Sequence, residues 1–489
     1  MLPVKSIISP TSSSKSPDGR LFTPFTPVSV RKMADTGERW TKWPEHRRRL
    51  RRGLGFLLAV SLCATLSAVN ASASQDDGWS RDFYWGVASS GYQSEGSAPD
   101  SNWKRFVDRS AGKDGVDEYR DSVDFRHRYA DDIRLAAGLG VTTYRFGVEW
   151  ARVEPSPGKW DETELAFYDD VLRHVRAAGM TPMITLNHWV YPGWALDQGG
   201  WAETRTADAW LDFSRKIVQR YAGQDVLWVT FNEPLVFLQN EQKVGALSTA
   251  RYFAAQSNVV QAHRRAYDLI HELDPTSKVT SNQAYITGVN GMADWFFLDQ
   301  VKDKLDFIGI DYYYGLSVDN WTVFAAASGK FWDVKLQPEG IYYALRSYHN
   351  RFPRLPLYIV ENGMATDNGK LRDADYTRGD HVRDTVYWLQ RAKADGMNLI
   401  GYNYWSLTDN YEWGSYRARF GLYTVDALTD PALTRRPTDA VPAYQALVTA
   451  GGVPQGYRLK RGPGTCSLVD GLNSCLNPAK VDGPLTPLR

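Results

Sequence analysis

Apolar residues in this chain fall into short β-branched and aromatic runs, each followed by a longer stretch in which they recur at helical spacing. The short runs lie at 83–88, 143–148, 182–187, 227–232, 278–283, 307–311, 357–361 and 399–404. Apart from 278–283, which is mostly polar, they are largely apolar, the pattern of strands buried on both faces of a parallel sheet. Between them, 164–178, 206–221, 257–273 and 378–395 carry the i, i+3, i+4 spacing of amphipathic helices. Gly140, Gly179 and Gly396 sit where those or similar helices should end, as suits a left-handed C′ position. Repeated β-then-α units predict an α/β fold, a single (β/α)8 barrel over 79–450 with its chemistry at the C-terminal strand ends. An open doubly wound sheet is the rival. It lacks support, because no Gly-x-Gly-x-x-Gly turn follows the first run and no P-loop appears. Residues 451–489, with Pro454, Pro463 and Pro478, read as an irregular tail.

The pattern changes ahead of the barrel. Arg47, Arg48, Arg49, Arg51 and Arg52 precede an apolar run at 54–69 and then Ala71-Ser72-Ala73. Basic region, short apolar region and small-residue site make 47–73 a signal peptide, with an uncleaved membrane anchor as the alternative. The run is shorter than the roughly 20 residues that a spanning helix needs. Residues 1–46 are Ser/Thr/Pro-rich and read as a disordered leader. The true start could be Met33, and an organelle transit segment is the second reading. The expected location is secreted or cell-envelope, the alternative membrane-anchored or organellar, with membrane association through the apolar run. Of three cysteines, Cys63 lies in the leader, which leaves Cys466 and Cys475. In an oxidising compartment they would form a disulfide pinning the tail; two reduced thiols are the alternative.

Composition removes some function classes. The net charge is +1 over 489 residues, without the broad basic excess that phosphate contacts require, so nucleic acid is not an expected partner. The 18 Trp and 27 Tyr suit a core, and flat rings with polar tips also suit sugar faces.

Two of the runs lead to a glutamate: Thr-Phe-Asn-Glu-Pro delivers Glu233 to the end of the fourth strand, Tyr-Ile-Val-Glu-Asn-Gly delivers Glu361 to the end of the seventh. Two carboxyls facing each other across one barrel mouth are the minimum equipment for breaking a glycosidic bond. Gln93, Arg145, His188, Trp189, Asn232, Tyr313, Trp405, Glu412 and Trp413 fall in or just beyond other strands and should meet at the same rim.

Over 79–448 the chain resembles the family 1 glycoside hydrolases, the β-glucosidase and β-galactosidase group. The motifs are Tyr-Arg-Phe, Asn-His-Trp, Thr-Phe-Asn-Glu-Pro, Asp-Phe-Ile-Gly-Ile-Asp-Tyr-Tyr, Pro-Glu-Gly, Val-Glu-Asn-Gly and Tyr-Trp-Ser-Leu-Thr-Asp-Asn-Tyr-Glu-Trp. The resemblance implies a retaining β-glycosidase acting on β-glucosides or β-galactosides, with Glu233 as acid/base and Glu361 as nucleophile. It implies that Gln93, His188, Asn232, Glu412 and Trp413 hold the sugar, with Trp405 as stacking platform. Arg145 and Tyr313 would support an ionised Glu361, and that charge would raise the pKa of Glu233. No cofactor or metal is needed, and the partner is a small-molecule β-glycoside. Loops at 235–250 and 315–330 would set acceptor choice.

Departures from the family pattern sharpen the expectation. A carboxylate at Glu412 would repel a 6-phosphate, and Glu233 is not the glutamine of thioglucosidases. Asp311 stands where the family usually has asparagine, which removes a donor near the nucleophile and, if ionised, adds a like charge. Arg-Phe-Gly-Val-Glu-Trp in the second strand resembles an archaeal-type branch and the plant galactolipid galactosyltransferase branch. A transglycosylase using the same covalent intermediate is therefore the alternative, and a sugar-binding pseudoenzyme comes third.

Overall fold

Eight parallel strands hydrogen-bond in chain order and close into a barrel: β1 (Tyr84–Ala88), β2 (Thr143–Gly147), β3 (Thr181–Thr185), β4 (Leu227–Asn232), β5 (Lys278–Ala284), β6 (Ile308–Asp311), β7 (Leu357–Asn362) and β8 (Leu399–Trp405). The ring is completed by β8 against β1, with Tyr84 opposite Gly401 and Ala88 opposite Trp405. This computed structural model describes residues 78–113, 115–372 and 375–489. The leader 1–46, the segment 47–73, Met33 and Cys63 lie outside the described residues. Among the described residues no helix is long and apolar enough to cross a membrane.

Each predicted strand is present, with ends moved by one or two residues. The helices Glu162–Ala177, Thr204–Tyr221, Tyr252–Leu273 and Arg378–Ala394 occupy the predicted helical stretches. The first starts where the Asp161 carboxylate accepts the N–H groups of Thr163 (2.9 Å) and Glu164 (3.1 Å). The last starts at a reciprocal box between Thr377 and Asp380. Gly140, Gly179 and Gly396 all have positive φ (78°, 76° and 88°). The stretch 235–250, expected as a loop, is largely the helix Pro234–Lys243. Pro234 at its first turn has no N–H to leave unpaired and φ already set for a helix.

Strand alternation divides the core. Tyr144, Phe146, Ile184, Trp228, Ile359 and Tyr402 face outward into the main core shared with the helices, while Tyr84, Met183, Leu227, Val229, Phe307, Tyr358, Val360 and Ile400 form a separate cluster that fills the lower lumen. Trp79 packs against that cluster from the N-terminal end, edge-on to Tyr84 and Phe307 at 6.1 and 5.5 Å. Gly401 is required there: a Cβ would come within 2.3 Å of the Tyr358 ring.

The tail is irregular in secondary structure yet tightly packed. Leu488 is fully buried and its carbonyl accepts the Trp85 indole N–H at 3.0 Å. Asp384 accepts the Tyr457 hydroxyl and the N–H groups of Lys460 and Arg461. Cys466 and Cys475, the latter within the short helix Leu472–Leu476, are joined in a disulfide with 4.2 Å between their Cα atoms.

Candidate active site

The upper lumen is built on ladder irregularities at the strands that carry the acids. Between β4 and β5 the register runs from Val229–Thr280 to Asn232–Asn282, so three steps on β4 match two on β5. Val229 faces the lumen, Phe231 and Thr230 face out, and Thr230 bonds His263 of the helix Tyr252–Leu273 at 2.7 Å. The extra residue then returns Asn232 to the lumen, where strict alternation would have turned it away. Glu233 follows with φ 42°, and its N–H donates to the Asn282 carbonyl at 3.0 Å. A backbone in the left-handed region is costly for a glutamate, and here it lets consecutive side chains serve one pocket. On β7 a second shift, with Ile310 opposite Ile359 and Asp311 opposite Glu361, lets Val360 stay in the lumen cluster and Glu361 also point inward.

Arg145 of β2 is fully buried and each of its three guanidinium nitrogens donates a hydrogen bond. Nη1 donates to Glu361 Oε1, Nη2 to Asn232 Oδ1 at 2.7 Å, and Nε to Thr185 Oγ1 at 3.0 Å. The Tyr313 hydroxyl donates to the other Glu361 oxygen at 2.9 Å. Both Glu361 oxygens therefore accept hydrogen bonds, as an ionised carboxylate does. Asn232 Oδ1 takes a second donor, Asn282 Nδ2 at 2.6 Å, which fixes which end of its amide is oxygen. Its Nδ2 then faces His188 Nε2 at 3.3 Å. Burial, with the charge of Arg145, holds the His188 imidazole well below its usual pKa, so it is neutral and can accept that bond.

Glu233 has a different environment. It keeps a part of its surface open to the pocket, but surrounding protein desolvates it, and with the Glu361 charge this raises its pKa well above the carboxylate range. Arg145 opposes the shift without overcoming it. The sequence expectation attributed the shift to the neighbouring charge alone; desolvation is the larger cause.

Glu412 accepts the Trp405 indole N–H at 2.9 Å and the Gln93 amide at 3.1 Å. Gln93 is oriented by Ser90, whose hydroxyl donates to its Oε1 at 2.6 Å, and by Asn410. Burial pushes Glu412 up to about 8, with the Glu361 charge adding to it and the two donors opposing. Burial thus favours its protonated form, which would weaken the charge repulsion of a 6-phosphate expected from the sequence. His188 stacks between Trp405 and Trp413, at 5.8 Å from each ring, and Trp189 stacks on Trp413 at 4.4 Å.

Gln93, Arg145, His188, Asn232, Glu233, Tyr313, Glu361, Trp405, Glu412 and Trp413 are thus linked at one end of the barrel through bonds, stacked rings and mutual charge. Sequence reasoning missed Asn282, Thr185, Ser90 and Asn410. Thr185 is a polar residue at the end of an apolar run, and that was its signal; Asn282 sits among the polar residues Thr280 to Gln283 and carried none. Among the described residues no cluster of His, Cys, Asp and Glu is arranged to hold a metal ion.

A family model described as glycosyl hydrolase family 1 matches residues 75–288 and 297–453. β-Glucosidase A of Thermotoga maritima is 28% identical over 423 residues, covering 72% of this chain and 94% of its own length. The chloroplastic galactolipid galactosyltransferase SFR2 of Arabidopsis thaliana is 30% identical over 346 residues, 62% of this chain, and the match spans 55% of that relative. The solved structure of the T. maritima β-glucosidase in complex with azafagomine superposes with a TM-score of 0.67 at 26% identity, covering 77% of this chain and all of that one. Fold, ordered motifs and matched length agree, and the chain belongs to glycosyl hydrolase family 1 as an O-glycosyl hydrolase of the β-glycosidase kind.

Proposed function

We propose that this protein is a retaining β-glycosidase that hydrolyses terminal β-D-glucosides or β-D-galactosides by double displacement. The observation that carries the reading is the contrast between the two acids. Glu361 is held on both oxygens by Arg145 and Tyr313, whereas the desolvated Glu233 favours the protonated form. Glu361 would attack the anomeric carbon as Glu233 protonates the departing oxygen, and Glu233 would then deprotonate the water that releases the sugar. The Asn232 amide, fixed by Arg145 and Asn282, is placed to meet the sugar 2-hydroxyl. Glu412, Gln93 and His188 offer polar groups to the remaining hydroxyls, with Trp405 and Trp413 against the ring face. Incubation with an aryl β-glucoside or β-galactoside should release the phenol, and the first sugar product seen by NMR should be the β-anomer. Release of the α-anomer would eliminate double displacement, and silence on both sugars would eliminate the activity.

A second reading, transfer to an acceptor sugar, has its own support. One relative is named a galactolipid galactosyltransferase. The segments after β5 and β6 also carry exposed Met292, Trp295, Trp321 and Phe324, between 55% and 66% accessible, which suits an amphiphilic acceptor better than water alone. Given a galactolipid, a hydrolase yields free galactose and a transferase yields oligogalactolipid. The ratio of the two decides.

A further inference from the structure

Behind the two acids lies a third carboxyl that the double displacement does not use. Asp311 ends β6 directly opposite Glu361 and is 1% exposed. Its Oδ2 accepts one hydrogen of the Asn282 amide, whose Nδ2 also donates to Asn232 Oδ1. Its Oδ1 is buried without a hydrogen-bond partner. The groups facing it are Glu361 of β7, Glu233 beyond β4, Arg145 of β2 and Asn282 of β5. Tyr313 and Glu412 complete the ring of polar groups around Glu361. Arg145 is the cation of this group, and all three of its nitrogens are already engaged by Glu361, Asn232 and Thr185. An ionised Asp311 would set a second buried negative charge against Glu361 with no counter-ion left for it, and would leave a charged oxygen unsolvated.

We propose that Asp311 is a positioning residue that holds a proton: as a neutral acid it anchors the Asn282–Asn232–Arg145 chain behind Glu361 and puts no second charge beside the nucleophile. The unpartnered Oδ1 is the atom left to carry the hydrogen, so the side chain has one donor and one occupied acceptor, the inventory that matters in a side-chain amide. In agreement, burial first, and then the charges of Glu361 and Glu233, push the Asp311 carboxyl well above the usual range. The donor that the sequence appeared to forgo at this position is restored by protonation, and the like charge it appeared to add is absent.

The inference rests on the roles given above to Glu233 and Glu361, but its direct test needs no turnover. An infrared difference spectrum of wild type against D311N, recorded at pH 6, should contain the C=O band of a carboxylic acid. Carboxylate bands in its place would overturn the proposal. If D311N does not accumulate as folded protein, D311S deletes the same carboxyl and gives the same reading. The pH profile supplies a second readout that a merely structural role would not move. With a neutral aspartate, the alkaline limb of kcat/KM in D311N stays within about 0.3 pH unit of wild type. With a charged one, loss of its field drops the Glu233 pKa and carries that limb down by about one unit. A protein without glycosidase activity would sink the assigned roles and leave the infrared result standing.

Discussion

Glu233 and Glu361 are chemically identical residues given different protonation behaviour by what surrounds them. Replacing Glu233 by alanine should lower kcat/KM for a glycoside with a poor leaving group by about 10²- to 10⁴-fold, the usual worth of a general acid. With an activated aryl glycoside, whose leaving group departs without a proton so that the glycosyl-enzyme accumulates in the variant, added azide, which needs no general base, should raise turnover and yield a β-glycosyl azide; an α-azide would contradict the assigned roles. The raised Glu233 pKa fixes the sign of the activity profile. On the proposed roles its acid form is the active one, so the alkaline limb should lie above the ordinary carboxylate range and should vanish in E233A. Arg145 belongs to a different class of effect. Its guanidinium joins β2, β3, β4 and β7 through bonds to Thr185, Asn232 and Glu361. R145M leaves Glu361 buried without its counter-charge, and unfolding titrations should show a loss of about 3–5 kcal/mol.

The strands were legible because a doubly buried strand must be apolar along its whole length, and the acids stood out because they interrupt that rule at Glu233 and Glu361. The bulges were not legible. Nothing in Val229-Thr230-Phe231-Asn232 announces that Thr230 will turn outward to His263; that bond belongs to tertiary packing, and only the completed ladder shows it. Asn282 was hidden for a related reason: it is one of four consecutive polar residues, Thr280 to Gln283, and nothing singles it out until β4 and β6 flank it. The tail is mostly irregular, as its prolines suggest, but composition gave no sign of how firmly it is held: hydrogen bonds from Trp85 to Leu488 and from 457–461 to Asp384 fasten it to the barrel. The disulfide closes a loop of sequence separation 9. C475S should cost about 2–3 kcal/mol of local stability, read as faster hydrogen exchange over 466–476 with the barrel strands unchanged.

The protein as a whole buries many carboxyls in neutral form. Burial pushes Glu149 up to about 8, Glu241 and Glu339 to about 7, and Glu412 to about 8. In the unfolded chain these groups ionise near their ordinary values, so above that range the folded state binds more protons. Stability contributed by a raised carboxyl is fully present below the unfolded pKa and is lost as pH climbs to the folded one. The buried neutral His263 and His381, lowered to about 4 and 3, act in the opposite sense, but only below the ordinary histidine pKa of about 6.5. Between about pH 6.5 and 8 the carboxyls therefore act without that opposition, and the melting temperature should fall across this window. A rise there would show that these acids are ionised in the folded protein.

Trp79 packs across the far end of the ring against Tyr84 and Phe307, below the apolar residues that fill the lower lumen, so among the described residues the site opens toward the C-terminal strand ends. Sugar, departing aglycone and incoming water must queue at that opening. A leaving group that lingers in that doorway keeps water from the glycosyl-enzyme and is itself first in line to take the sugar back. On the proposed double displacement, crowding at that entrance would then help to set how often a turnover ends in exchange and how often in release.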